Sequence, residues 1–316
     1  MTGTVLITDC DMGSADLERH VLEPAGFTVV HAACETEDDV IAAVAQTNAT
    51  GLLVQYAPIT RRVLRESRGV RSLVRYGVGL DNIDVEAAAE FGIVALNVPH
   101  YGSAEVADQA VALLVSLLRG VPRWSAATRK GAWPTRGALP DPLELAECTL
   151  GLFGFGAIAR EVAARAQAFG MTVIAFDPYV GVDTFGSAGV RQVGWEDLWK
   201  SSSAVSVHAP LLDSTRGIIN AEALGMMSPG GFLINTARAA LVDRSALEHA
   251  LDSDHLAGVG LDVWWKEPAD QNDRLLQDPR VVVTPHVAWL SPGSVTRLRS
   301  EAARLLVSAL EAPVLS

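Results

Sequence analysis

Three segments in the second half of the chain each end an apolar, β-branched run near a residue that can carry charge or a proton. "GFLINTA" (231–237) leads to Arg238, "GVGLDV" (258–263) holds Asp262 and leads to Glu267, and "VVVTP" (281–285) ends on His286. A planar guanidinium can grip a carboxylate and polarise a neighbouring carbonyl. An imidazole can give its proton to an oxygen and take it back in the reverse direction. A carboxyl group on the other ring nitrogen fixes the tautomer. The set suits proton handling at a carbonyl whose hydride comes from elsewhere. No cluster with metal-ligand spacing accompanies it, so no metal is expected. Each residue also has a plainer reading: a surface arginine, a glutamate opening a turn at Pro268, a histidine capping a strand end. Their joint placement at three strand ends favours the chemical reading.

A hydride source is legible upstream. "TLGLFGFGAIAREVAARAQAFGMTVIAFDP" (149–178) reads as one strand–helix–strand unit, with Gly154, Gly156 and Ala159 forming G-x-G-x-x-A after Gly151. The first glycine allows a sharp turn, the second lets backbone approach a pyrophosphate, and Ala159 allows close helix–strand packing. Phe155 lies between the glycines, and the amides of Ala157 and Ile158 open the helix toward the anion. Asp177, with Pro178 beside it, ends the next strand roughly 20 residues on, where a carboxylate can accept from a ribose diol. "FDPYVG" holds no Arg or Lys to receive a 2′-phosphate, so NAD (NADH) is the expected cofactor.

Elements must bring these ends together. Short apolar runs alternate with amphipathic stretches along nearly the whole chain: "TVLITD", "TVVHA", "LLVQY", "SLVRYG" and "IVALNV", then "TLGLFGFG", "TVIAFDP", "AVSVHAP", "GFLINTA", "GVGLDV" and "VVVTPH". In "ETEDDVIAAVAQ", Thr36 can cap a helix that turns Val40, Ile41 and Val44 to one face. Strands alternating with helices imply parallel sheets with right-handed crossovers. Two such sets imply an α/β protein of two doubly wound, Rossmann-like and flavodoxin-like domains with a cleft between them. Residues 124–148 break the pattern, and "SVTRLRSEAARLLVSAL" forms one last helix that must pack on a domain already built, the first being the expected host.

Composition sets outer limits. The chain has 316 residues, more than one hydrophobic core usually serves, with 49% hydrophobic and 20% charged residues. A net charge of −12 argues against binding the phosphate backbone of a nucleic acid. No run reaches the ~18 apolar residues of a membrane helix. The start, "MTGTVLITDCDMG", lacks the basic region of a signal peptide. Three scattered cysteines, Cys10, Cys34 and Cys148, fit neither a disulfide frame nor a metal knuckle, and a cytoplasmic setting is expected.

These segments resemble the D-isomer-specific 2-hydroxyacid dehydrogenases over nearly the whole chain. "VRYGVGLDNIDVEAA" (74–88) resembles the family's substrate loop, "NTARAALVD" (235–243) the arginine segment, "GLDVWWKEP" (260–268) the aspartate and glutamate segment, and "TPHVAW" the histidine segment. The resemblance implies hydride transfer between nicotinamide and the C2 carbon of a 2-oxo or 2-hydroxy acid, with Arg238, Glu267 and His286 catalytic. It implies a discontinuous substrate domain of residues 1–99 plus 290–316 around an NAD-binding domain of residues 100–289. The helix after Tyr101 and the arm at about 101–148 would build a homodimer. Amides around Val78 and Gly79 would meet the substrate carboxylate. Cofactor contacts would extend to Val78, Val106, His208, Ala209, Pro210, Thr215, Thr236, Ala237 and Asp262, with Arg238 and His286 beside the nicotinamide.

Within the family, "VRYGVGLDN" and "PHVAW" look most like the C-terminal binding protein group of corepressors, where counterparts of Trp289 and Arg75 contact the substrate side chain. Specificity is expected in Arg75, Tyr76, His100, Tyr101 and Trp289. Arg75 and His100 suit an acidic or phosphorylated substrate, Trp289 and Tyr76 an aromatic or thioether one. The rival reading is an NAD(H)-sensing dimeric scaffold, against which the intact Arg238, Glu267 and His286 speak. Formate-type oxidation resembles relatives with Gln in place of Glu267. One departure concerns Ala239 and Ala240, which follow Arg238 where the family has Gly. A turn needing positive φ there would cost each alanine ~1–2 kcal/mol.

Overall fold

The computed structural model describes residues 3–312. They form two compact units: the described residues up to Gly102 together with those from Leu290 onward, and Ser103–Trp289.

The first unit carries strands β1 (Gly3–Ile7), β2 (Phe27–His31), β3 (Ala49–Val54), β4 (Ser72–Arg75) and β5 (Val94–Asn97). All pairings are parallel, in the order β2-β1-β3-β4-β5. The inner strands β1, β3 and β4 are buried along most of their length, whereas the edge strands β2 and β5 keep exposed positions. Leu6, Leu52, Val54 and Leu73 pack with Val40 and Val44 of the helix Glu37–Thr47. That helix starts on a capping box, with Thr36 accepting from the Asp39 amide and the Asp39 carboxylate accepting from the Thr36 amide. The helix Pro292–Glu311 belongs to this unit, opened by Ser291 with Pro292 in its first turn. It buries Leu298, Ala302, Leu306 and Leu310 at a spacing of four, with Ser294, Arg299 and Ala303 buried on the same face.

The second unit holds β6 (Thr149–Phe153), β7 (Thr172–Phe176), β8 (Arg191–Gln192), β9 (Ala204–Val207), β10 (Gly231–Asn235), β11 (Leu256–Leu261) and β12 (Val281–Val283). Its parallel order is β12-β11-β10-β9-β6-β7-β8. Strand alternation splits the core in two. Leu150, Leu152, Phe232 and Ile234 face the layer built by Leu113, Leu114 and Leu117 of the helix Ser103–Leu118 and Val162 of the helix Ala157–Ala168. Phe153, Val205, Val207 and Leu233 face the opposite layer, with Trp199, Leu224 and Leu247.

Two elements differ from the sequence-based expectation. β8 is a two-residue edge strand with both residues exposed, so no apolar run marks it. Within the stretch read as an arm lies the end of a helix, Val121–Arg129, that buries none of its residues. Beyond it the chain runs without a helix or strand to a short 3₁₀ turn at Leu145–Glu147, with Trp133 85% exposed on the way. Among the described residues no helix is long and apolar enough to cross a membrane.

Candidate active site

In a doubly wound sheet ligands bind outside the carboxyl ends of the strands, where the order reverses. In the second unit the reversal falls between β6 and β9, and the glycine loop leaves β6 there. Gly154 has φ +89°, and an added Cβ would come within 2.7 Å of the Ala209 amide nitrogen. Glycine is therefore required both by conformation and by the close passage of the loop after β9. Gly156 differs, since an added Cβ there meets nothing within 4 Å. It caps the helix Ala157–Ala168 without any side chain on the first amides. Uncapped N–H groups at a helix start beside a glycine with room around it suit a pyrophosphate.

Asp177 accepts from the Phe155 amide at 2.8 Å and from the Tyr179 amide at 2.9 Å. One carboxylate thus holds the glycine loop, and its remaining lone pairs can still take a ribose diol. At the end of β10, Thr236 Oγ1 is buried with no hydrogen-bond partner, an orphan that a bound dinucleotide can satisfy. These features fit a nicotinamide dinucleotide. His208 ends β9 with its ring at 2.8 Å from the Ser206 hydroxyl, and burial lowers its pKa to about 4, so the ring is neutral at pH 7.

Arg238 is placed by Asn235, a buried residue that the sequence reading passed over. The Asn235 side chain accepts from the Ala237 amide and donates to the Arg238 carbonyl, both at 2.9 Å. Its signal was an asparagine at a strand exit, which favours such local turns. Ala239–Leu241 then form a 3₁₀ turn, and neither Ala239 nor Ala240 has positive φ. The alanines in place of the family glycines are unstrained.

His286 Nδ1 lies 2.8 Å from Glu267 Oε2, while Glu267 Oε1 accepts from the Trp264 amide at 2.9 Å. Burial works to raise the Glu267 pKa, but the His286 hydrogen bond, the Trp264 amide and the charges of His286 and Arg238 outweigh it and lower it. His286 has φ +57°, in the left-handed region. Asp262 stabilises that turn by accepting from the Val287 amide at 3.1 Å, the Ala288 amide at 2.8 Å and the Thr284 hydroxyl. Burial raises the Asp262 pKa despite these donors. The Trp289 indole N–H donates to the His286 carbonyl at 3.1 Å. Asp262 and Trp289, expected beside cofactor and substrate, therefore also shape the histidine loop itself.

The first unit places the other expected residues. Arg75 Nε donates to the Gln55 carbonyl at 3.3 Å, and its guanidinium lies where a Cβ on Gly77 would collide with it. Gly77 has φ +141°. Val78 is exposed, its carbonyl accepting from the Asn97 side chain, and Gly79 follows it in the same loop. The Tyr101 carbonyl accepts from Arg297 at 2.8 Å, and His100 sits at φ +63°. Tyr76 is a correction. Expected to face substrate, it is 2% exposed, and its hydroxyl donates to the buried Glu18 carboxylate at 2.9 Å. Burial and the Glu18 charge hold its pKa well above the usual range for a phenol.

Residues 111–288 match the model of the D-isomer specific 2-hydroxyacid dehydrogenase NAD binding domain. The chain belongs to this family. D-3-phosphoglycerate dehydrogenase of Rattus norvegicus is 34% identical over 287 residues, covering 90% of this chain and 53% of that protein. The chain thus spans about half the length of the curated relatives it matches. A glyoxylate reductase from Paecilomyes thermophila superposes with a TM-score of 0.88 at 29% identity, covering 98% of this chain and 96% of that one. The TT0316 protein from Thermus thermophilus gives a TM-score of 0.86 at 33% identity, with 98% and 97% covered. The finer expectation is corrected at this point, because the named relatives are D-3-phosphoglycerate dehydrogenases and not C-terminal binding proteins.

Proposed function

We propose that this family member is an NAD-dependent dehydrogenase of D-2-hydroxy acids, reducing 2-oxo acids in the reverse direction. The observation that carries the reading is the Glu267–His286 pair at 2.8 Å, with the second carboxylate oxygen of Glu267 held by a backbone amide. Bound at the glycine loop, the nicotinamide would supply the hydride for C2. His286 delivers the proton to the developing alkoxide from its Nε2 side, because Nδ1 is committed to Glu267. Glu267 offsets the charge of the imidazolium and fixes the ring. Arg238 holds the substrate carboxylate with its planar fork. Arg75 and the amides of Val78 and Gly79 take part in substrate binding. Asp177 favours NAD, since a carboxylate accepts from a ribose diol and repels a 2′-phosphate.

A homodimer is part of the same reading. No residue of the helix Val121–Arg129 is fully buried, and Val121, Trp133 and Leu143 stand exposed along the arm. Three unpaired thiols suit the cytoplasm.

The test is a panel of 2-oxo acids with phosphorylated, acidic, aromatic and thioether side chains, each mixed with NADH while nicotinamide absorbance is followed. Replacing His286 by Ala lowers turnover of the preferred acid by about 10²–10⁴-fold, with NADH binding retained. Undiminished turnover would remove His286 from the mechanism.

A further inference from the structure

Glu267 is half exposed, and the reading of it as partner of His286 demands that it stay in place. Its anchor is the Trp264 amide, so whatever holds the turn around Trp264 and Trp265 sets the catalytic pair. Both indoles are tied at their ring nitrogens. Trp264 Nε1 donates to Asp273 Oδ2 at 3.2 Å, and Trp265 Nε1 donates to the Val242 carbonyl at 3.1 Å. Val242 is buried and closes the 3₁₀ turn that follows Arg238. Arg244 completes the ring of contacts. Its Nη2 lies 2.6 Å from Asp273 Oδ1, and its guanidinium carbon sits 5.5 Å from the centre of the Trp265 ring. The side chain of Asp273 is buried and also accepts from the Leu275 amide at 3.1 Å. The two indoles meet edge to face at 5.6 Å.

Resting on the proposed roles of Arg238, Glu267 and His286, we infer that Trp265 is a positioning residue for the reaction. With Trp264, Asp273 and Arg244 it clamps the segment after β10, which carries Arg238, to the segment after β11, which carries Glu267. None of the four touches the reacting atoms. Packing alone does not account for the arrangement, since an apolar ring would fill the same space without aiming an N–H at a buried carbonyl. The clamp reaches Glu267 through the Trp264 amide, so its loss acts on the chemical step more than on cofactor binding.

Trp265→Phe keeps the ring and removes the N–H. For the acid chosen by the panel, kcat falls about tenfold, as loss of one hydrogen bond predicts. KM, NADH affinity and the thermal midpoint stay near wild type. Hydrogen exchange of the Trp264 amide in the NADH-bound protein quickens about tenfold. Arg244→Gln, which removes the cation over the ring, moves kcat and exchange in the same direction and serves should Trp265→Phe not fold. Unchanged kcat together with unchanged Trp264 exchange overturns the inference. So does a parallel loss of kcat, NADH affinity and midpoint, the mark of a general structural role. If the wild-type protein reduces none of the acids, the proposed function fails, and the exchange measurement alone decides whether the clamp holds the Glu267 turn.

Discussion

Two carboxylate pairs, Glu18 with Arg299 in the first unit and Glu267 with His286 in the second, differ sharply in burial. In the first unit Glu18 and Arg299 are 0% and 4% exposed at their side chains, and every arm of the guanidinium is engaged. Arg299 bonds both Glu18 oxygens, at 2.8 and 2.6 Å, and the carbonyls of Met12 and Ser14, while Tyr76 adds its hydroxyl. The cluster joins the first helix, the last helix and the exits of β1 and β4. In the second unit Glu267 and His286 are 41% and 38% exposed. A buried pair with all its partners present is a structural tie. A half-open pair keeps the access that the proposed proton transfer needs. Burial costs charges their hydration, so the first arrangement survives only when saturated, whereas the second tolerates fewer partners because water still reaches it.

The largest expected effect breaks the first pair. Arg299→Met leaves Glu18 buried without its cation and costs about 3–5 kcal/mol of folding stability in urea unfolding. A loss below 1 kcal/mol would show that the cluster relaxes or hydrates, and that the contrast with Glu267 is one of degree. Next comes Glu267→Gln, which still accepts from the Trp264 amide but cannot offset an imidazolium. Turnover falls roughly 100-fold, about 2.7 kcal/mol, while unfolding stability changes by less than about 1 kcal/mol. Equal damage to both would make Glu267 a structural residue like Glu18.

His208 gives the smallest effect and a third case, burial against a hydroxyl with no carboxylate partner. Its pKa is lowered to about 4 by burial, so the folded state prefers the neutral ring. Stability from this preference is full above the unfolded value of about 6.5 and is lost as pH falls from there toward 4. His208→Gln should flatten that acid slope by about 1–2 kcal/mol between pH 7 and 4.5 in urea titrations. An unchanged slope would assign the acid sensitivity to other groups.

Much of this molecule is local in origin. Alternating apolar runs announced the strands of both sheets because strands covered on two faces must be apolar along their length. β8 escaped notice, since a two-residue exposed edge needs no such run. Gly154, Gly156, Asp177, Arg238 and His286 stood out in the sequence because each follows closely on a strand end, whereas Glu267 lies six residues beyond β11 and is held by the turn at Trp264. Tyr76 was misjudged for the opposite reason. Its partner Glu18 is 58 residues away, and the guanidinium that completes the cluster is supplied by the last helix. Asp262 and the two tryptophans likewise show their use only once loops from different strands are side by side.

By itself, then, the order of residues determined which elements form, how the sheets would be wound and which groups could do chemistry, because periodicity and strand-end placement act over a few residues. Tertiary structure decided which charges are buried and saturated and which stay open, because desolvation depends on everything packed around a group. That is why the Glu18–Arg299 pair is sealed inside its unit while the Glu267–His286 pair stands half open beyond the strand ends of the second sheet.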